Sequence, residues 1–203
     1  MCGRFLVKAD DPELGPLYRP DQWVLPGVSD ESLVRAGEIF PDNAVPVLTL
    51  VDGEIRPRIM GWGFPKWDGK GVQFNARAET AHELNSFKKS LANWRVAVPT
   101  SGFYEWREEK DEPKKVKYLF TDPMNPVLFL AAIGGIFQKA KGPVKDRFCI
   151  LTQNSKNTSV ERYHSRMPVL LRAEDLAPWM AGPDYARIMF SAPFPLQATK
   201  ILK

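Results

Sequence analysis

Cysteine is nearly absent from this 203-residue sequence: only Cys2 and Cys149 occur. No disulfide framework can be drawn from two thiols, and no C-x-x-C spacing exists to hold structural zinc, so neither a metal nor a cofactor is expected. Long apolar runs are missing as well. None approaches the roughly 18 residues of a membrane span, which excludes a helical membrane protein. The opening Met-Cys-Gly-Arg-Phe lacks the basic stretch and apolar core of a secretory signal, so a soluble protein of a reducing compartment is expected. Internal repeats, low-complexity stretches and polar linkers are also wanting, and the 18 prolines are scattered from Pro12 to Pro195. One domain over residues 1–203 follows as the expectation.

What is present suits a packed core: 44% of residues are hydrophobic, 26% are charged, and the net charge is +4. That surplus fits an anionic partner and an ordinary solvated surface equally well. Short β-rich runs dominate, at Val45 to Val51, Val72 to Arg77, Arg95 to Val98, Tyr118 to Thr121, Val127 to Phe137, Phe148 to Thr152 and Val169 to Leu171. Helical spacing appears over Ala78 to Ala92, through Leu84, Phe87 and Leu91, and more weakly over Asp30 to Ala36 and Glu174 to Met180. The pattern predicts an α+β fold of mostly antiparallel sheets. Gly134-Gly135, inside an apolar run, predicts a bulge or a bend.

Four polar positions stand out. Cys2 becomes the terminal residue if Met1 is removed, which leaves an amine and a thiol on one residue. An α-amine with a pKa of about 7.7 to 8.0 is partly neutral at pH 7, whereas a lysine is almost wholly charged. With an aldehyde such a residue can form an imine and then a thiazolidine ring. The alternative is a small penultimate residue of no consequence. Strand alternation over Phe74 to Thr80 puts Asn75 and Arg77 on one face, suited to holding an amine or hydroxyl and a phosphate. Equally, Asn75 serves as a turn residue and Arg77 as the partner of a carboxylate. Glu105 lies among aromatics in Gly102-Phe103-Tyr104-Glu105-Trp106, where desolvation would raise its pKa toward neutrality, unless it reaches solvent or pairs with Arg107 or a lysine. His164 suits general acid-base work or a structural role; His82 reads as a solvated helix residue.

Taken together, Met-Cys-Gly-Arg-Phe at the start, Asn-Ala-Arg-Ala-Glu-Thr at 75 to 80, Val-Pro-x-Ser-Gly-Phe-Tyr-Glu-Trp at 98 to 106 and His-x-Arg-Met-Pro-Val at 164 to 169 closely resemble the SOS-response-associated peptidase family of abasic-site-processing proteins. The resemblance implies barrel-like antiparallel sheets flanked by helices, and a positive cleft for single-stranded DNA containing abasic sites. It implies Cys2 as the nucleophile of a thiazolidine crosslink, Asn75 as the residue that positions the amine, Glu105 as the acid that opens the sugar ring, and His164 as a proton shuttle. Arg4, Arg77 and Arg166 would hold phosphates, while Trp67 and Trp106 would offer stacking surfaces. It further implies self-catalysed release of Met1, possible lyase activity, a monomer, and a cytoplasmic, nucleoid-associated location in a bacterium or a nuclear one in a eukaryote.

The sequence departs from the family pattern in three places. Trp62-Gly63-Phe64-Pro65-Lys66-Trp67 is one residue shorter than the usual segment, Glu38-Ile39-Phe40 replaces an Asn-containing stretch, and Thr100 stands where alanine is commoner. Two competing readings use the same residues. An amino-terminal-nucleophile peptidase would turn over peptides through Cys2, and a passive single-strand binder would make Cys2 dispensable.

Overall fold

A computed structural model describes residues 2–18, 36–138, 144–182, 188 and 194–202. In chain order it contains β1 (Arg4–Val7), β2 (Gly37–Ile39), β3 (Ala44–Val51), β4 (Glu54–Trp62), β5 (Phe64–Pro65), β6 (Val72–Gln73), β7 (Asn75–Arg77) and the short helix α1 (Lys88–Asn93). There follow β8 (Arg95–Thr100), β9 (Gly102–Arg107), β10 (Val116–Thr121), β11 (Leu128–Gln138), β12 (Val144–Asn154), β13 (Arg166–Pro168), β14 (Leu170–Leu171), α2 (Leu176–Ala181) and β15 (Gln197–Lys200).

Five strands close on themselves. β12 pairs with β4, β4 with β3, β3 with β8, β8 with β11, and β11 returns to β12; all of these pairings are antiparallel except β12 with β4. Closure removes the free edges that a flat sheet would leave. A second sheet, ordered β15-β10-β9-β1-β2, is antiparallel throughout. The mostly antiparallel, barrel-like α+β architecture expected from the sequence is the one observed.

The continuous apolar runs of β8, β11 and β12 follow from burial on both faces. Val96, Val98, Leu130, Ala132, Phe148 and Ile150 point to a core shared with Phe5, Ile39, Phe103 and Phe120 of the second sheet. The alternate residues Ala97, Ala131, Ile133, Cys149 and Leu151 point to a core closed by Phe87 and Leu91 near α1 and by Trp179 on α2. Arg95, at the head of β8 and 6% exposed, joins the two helices. Its guanidinium donates to the carbonyls of Leu91 and Ala92 at the end of α1 and to those of Trp179, Met180 and Gly182 at the end of α2. Acceptors that helix termini leave open are thereby satisfied by one cation.

Three local expectations are corrected. The helix over Ala78 to Ala92 shrinks to Lys88–Asn93 preceded by turns, because Ala78 N–H bonds to Thr152 and Glu79 is tied to Arg166 and to the Asn154 N–H, which pins the segment to β12. Phe87 and Leu91 still face the core, while Leu84 is exposed. The strand over Val72 to Arg77 is broken at Phe74, whose carbonyl is taken by the Ile150 N–H and the Trp62 indole. Gly134 and Gly135 produce no bulge, since the β11–β12 register runs unbroken from Ala132↔Ile150 to Gln138↔Val144. A Cβ on Gly134 would sit 2.8 Å from the Trp94 indole, so the glycine makes room for that ring. Residues 30–35 of the helix expected over Asp30 to Ala36 lie outside the described residues.

Candidate active site

The amino terminus is drawn into the molecule by β1, which is paired with β2 on one side and β9 on the other. Phe5 and Val7 are buried, and this anchors the strand so that Cys2, just ahead of it, is fully buried too. Met1, whose removal the proposed chemistry requires, lies outside the described residues. The Cys2 carbonyl accepts a 2.8 Å hydrogen bond from Asn75 Nδ2. Asn75 is fixed in turn by the parallel pairing of β7 with β12, where it sits opposite Ile150. Its Oδ1 is buried and has no hydrogen-bond partner among the described residues. An amide carbonyl in that state is an acceptor waiting for a donor.

Glu105 arrives from β9. Phe103 and its cross-strand partner Phe120 are fully buried, and alternation carries Glu105, opposite Tyr118, to the same face. The carboxyl is 2% exposed, and burial pushes its pKa up to about 7. His164 comes from the segment between β12 and β13, with Nε2 3.8 Å from Glu105 Oε2. His164 Nδ1 lies 3.0 Å from the Arg166 N–H and 2.9 Å from the Arg166 carbonyl, so Nε2 faces Glu105 as an acceptor when Nδ1 carries the proton and as a donor when it does not. Ser155, fully buried, donates its hydroxyl to the His164 carbonyl and its N–H to the Ser165 carbonyl. Desolvation lowers the His164 pKa against the pull of the Arg166 carbonyl. Burial first, and the Glu105 carboxylate second, push the Cys2 thiol pKa up. Cys2, Asn75, Glu105 and His164 therefore converge from four separate stretches of chain. The convergence combines a thiol held protonated by burial, an open amide acceptor, a carboxyl that is half-protonated near neutrality, and an imidazole whose pKa burial lowers.

The other residues singled out from the sequence differ in their availability. Arg77 is exposed on the same face of β7 as Asn75 and has no ion pair among the described residues. Trp67, in the loop between β5 and β6, is 99% exposed. The β5–β6 hairpin that carries this loop departs from β4 through Gly63, which has φ +107° and leaves no room for a side chain beside Val72. Trp106 is half-buried on β9. Arg166 is engaged by a fork of two bonds to Glu79, 2.6 and 2.9 Å, and by Thr152, so a phosphate there would have to share it. Arg4 contacts Glu38 at 3.4 Å and lies over the Phe40 ring at 3.7 Å. No group of three metal-ligating side chains occurs among the described residues, and no helix there is long and apolar enough to cross a membrane.

Sequence reading assigned no role to Ser155, Glu38 or Lys117: Glu38 and Lys117 meet across 79 positions, and Ser155, nine residues before its partner His164, lies outside any motif.

Comparison with known proteins extends the picture. The family model of the SOS response associated peptidase (SRAP) matches residues 1–200. The chain is 31% identical over 202 residues to the abasic site processing protein YoqW of Bacillus subtilis, covering 91% of this chain and 84% of that one. It is 28% identical over 183 residues to the abasic site processing protein YedK of Escherichia coli, covering 89% and 79%. Among solved structures, a Bordetella bronchiseptica protein superposes with a TM-score of 0.79 at 22% identity, covering all of both chains. A Bacteroides thetaiotaomicron protein gives 0.78 at 22% identity, covering 99% of this chain and 92% of that one. At such identity these two likenesses concern the fold alone.

Proposed function

The chain belongs to the SOS response associated peptidase family, and on that premise we propose that it processes abasic sites in single-stranded DNA by capturing the exposed sugar on Cys2 after Met1 has been released. The observation that carries this reading is the buried pairing of Asn75 with the Cys2 backbone, which leaves an amide acceptor unfilled, at a cysteine that also feels the charge of Glu105, the partner of His164.

An abasic deoxyribose rests mainly as a closed hemiacetal. Protonated Glu105 delivers a proton to the ring oxygen, and C1′ opens to an aldehyde. The Cys2 amine, held by Asn75 Oδ1, attacks C1′ to give a carbinolamine. His164 and Glu105 relay protons as water leaves and the imine forms, assistance of a kind that contributes about 10²- to 10⁴-fold. The thiol then adds to C1′ while its proton passes to the nitrogen, which closes a five-membered ring and leaves one water as the only other product. Because burial keeps the thiol protonated, the amine attacks first and the sulfur second. Release of Met1 is the hydrolysis of one peptide bond and precedes all of this.

Arg4, Arg77 and Arg166 supply phosphate contacts that read no sequence, and Trp67 and Trp106 accept any base because every base has a π-face. The test mixes Met1-free protein with an oligonucleotide carrying one abasic site, heats the mixture in detergent, and resolves it on a denaturing gel. A shifted band absent from Cys2→Ala is expected. A band that survives in Cys2→Ala, or peptide turnover without any DNA adduct, overturns the reading.

A further inference from the structure

The outer face of the second sheet carries a charged cluster that the capture chemistry does not use. Cross-strand pairs share a face, so Arg4 with Tyr104, and Trp106 with Lys117, point away from the buried Phe5, Phe103 and Phe120. Glu38, on β2 opposite Leu6, shares that outer face. Its two carboxylate oxygens are divided between two cations: Oε2 lies 2.6 Å from Lys117 Nζ and Oε1 3.4 Å from Arg4 Nε. Lys117 Nζ also lies 4.0 Å from the centroid of the Tyr104 ring and 5.7 Å from that of Trp106. The fit of Arg4 to Glu38 is incomplete, since Arg4 Nε is buried with no hydrogen-bond partner among the described residues.

We propose that Lys117 joins Arg4, assigned above to phosphate, in one phosphodiester subsite for the single strand, which Glu38 occupies as an internal counter-ion in the free protein. A carboxylate and the two non-bridging oxygens of a phosphodiester offer the same forked pair of acceptors, so the cations are already spaced for phosphate. The half-buried Trp106 ring beside them offers a stacking face of the kind single strands favour, while the buried Tyr104 ring backs the Lys117 ammonium. Binding at this subsite requires Glu38 to give up both cations. The carboxylate therefore sets how tightly, and at what salt concentration, undamaged single strands are held.

The subsite rests on the single-strand reading above, so its test uses an intact oligonucleotide without an abasic site and reads binding alone, by fluorescence anisotropy across a salt series. Glu38→Gln is expected to tighten binding several-fold at low salt and to steepen the salt dependence by about 0.7 in log-log slope, the increment of one further phosphate contact on a single strand. Lys117→Gln is expected to weaken binding and make the slope shallower by a similar amount, and Lys117→Arg to restore both. In the Lys117→Gln background the gain from Glu38→Gln should largely disappear. Each variant is checked for folding by its thermal melt. Unchanged affinity and slope in folded Glu38→Gln and Lys117→Gln overturn the subsite while leaving Cys2 capture intact. Absence of any single-strand binding by the parent protein overturns both.

Discussion

Glu105→Gln is the substitution with the most telling consequence, because the residue proposed to open the sugar also weakens the fold. The carboxyl is 2% exposed, and burial raises its pKa from the ordinary 4.5 to about 7. Between those values the folded chain holds a proton that the unfolded chain has released, so stability falls as pH rises through that window. Below about pH 4.5 both states are protonated and the penalty is absent, while above about pH 7 it is fully present. At about 1.4 kcal/mol for each tenfold change in proton affinity, a rise from 4.5 to about 7 corresponds to roughly 3 to 4 kcal/mol, most of which develops between pH 5 and pH 8. Glutamine carries no ionisable proton, so the stability of Glu105→Gln relative to the parent should rise by roughly 2 to 3 kcal/mol over that interval. Urea unfolding at both pH values measures it. The same variant should form adduct about 10²-fold or more slowly, and should lack the fall in rate expected of the parent as Glu105 deprotonates above pH 7. An unchanged stability difference between pH 5 and pH 8 would refute the assignment of a buried, proton-retaining carboxyl.

Three further outcomes follow from particular contacts. Asn75→Ala removes the bond to Cys2 and the proposed amine acceptor; a loss of about 1.5 kcal/mol makes single-turnover adduct formation about tenfold slower, with oligonucleotide affinity little changed. Arg95→Met strips five carbonyls of their donor at the ends of both helices, and should destabilise by about 3 kcal/mol or more, lowering the melting temperature by roughly 6 to 12 °C in calorimetry. Gly134→Ala drives a methyl into the Trp94 indole and should cost about 1 to 3 kcal/mol in urea unfolding.

How much of this could be read from the chain divides by physical scale. Four of the five barrel strands were legible because double-sided burial writes uninterrupted apolar runs, as at Val127 to Phe137 and Phe148 to Thr152, whereas β4, exposed over its first residues, was not. Short edge strands such as Gly37–Ile39 and Gln197–Lys200 were not, since three or four residues with one solvated face leave no such signature. The helix over Ala78 to Ala92 misled because its spacing is real where Phe87 and Leu91 pack, while the preceding turn is fixed by Glu79 binding Arg166 across 87 positions. Periodicity cannot sense a tether of that kind. The four residues at the site stood out locally, each an odd polar group in its surroundings, but their convergence depended on pairings such as Asn75 with Ile150 and Arg4 with Tyr104. Ser155 beneath His164, and Glu38 between two cations, become visible only in three dimensions.

The most direct test is mass spectrometry of the covalent complex after nuclease and trypsin digestion. The account predicts that the terminal peptide Cys2–Arg4 lacks methionine, carries the opened sugar, and offers no thiol to an alkylating reagent. A peptide that begins at Met1 with an alkylatable Cys2, alongside sugar attached to a lysine, would contradict it.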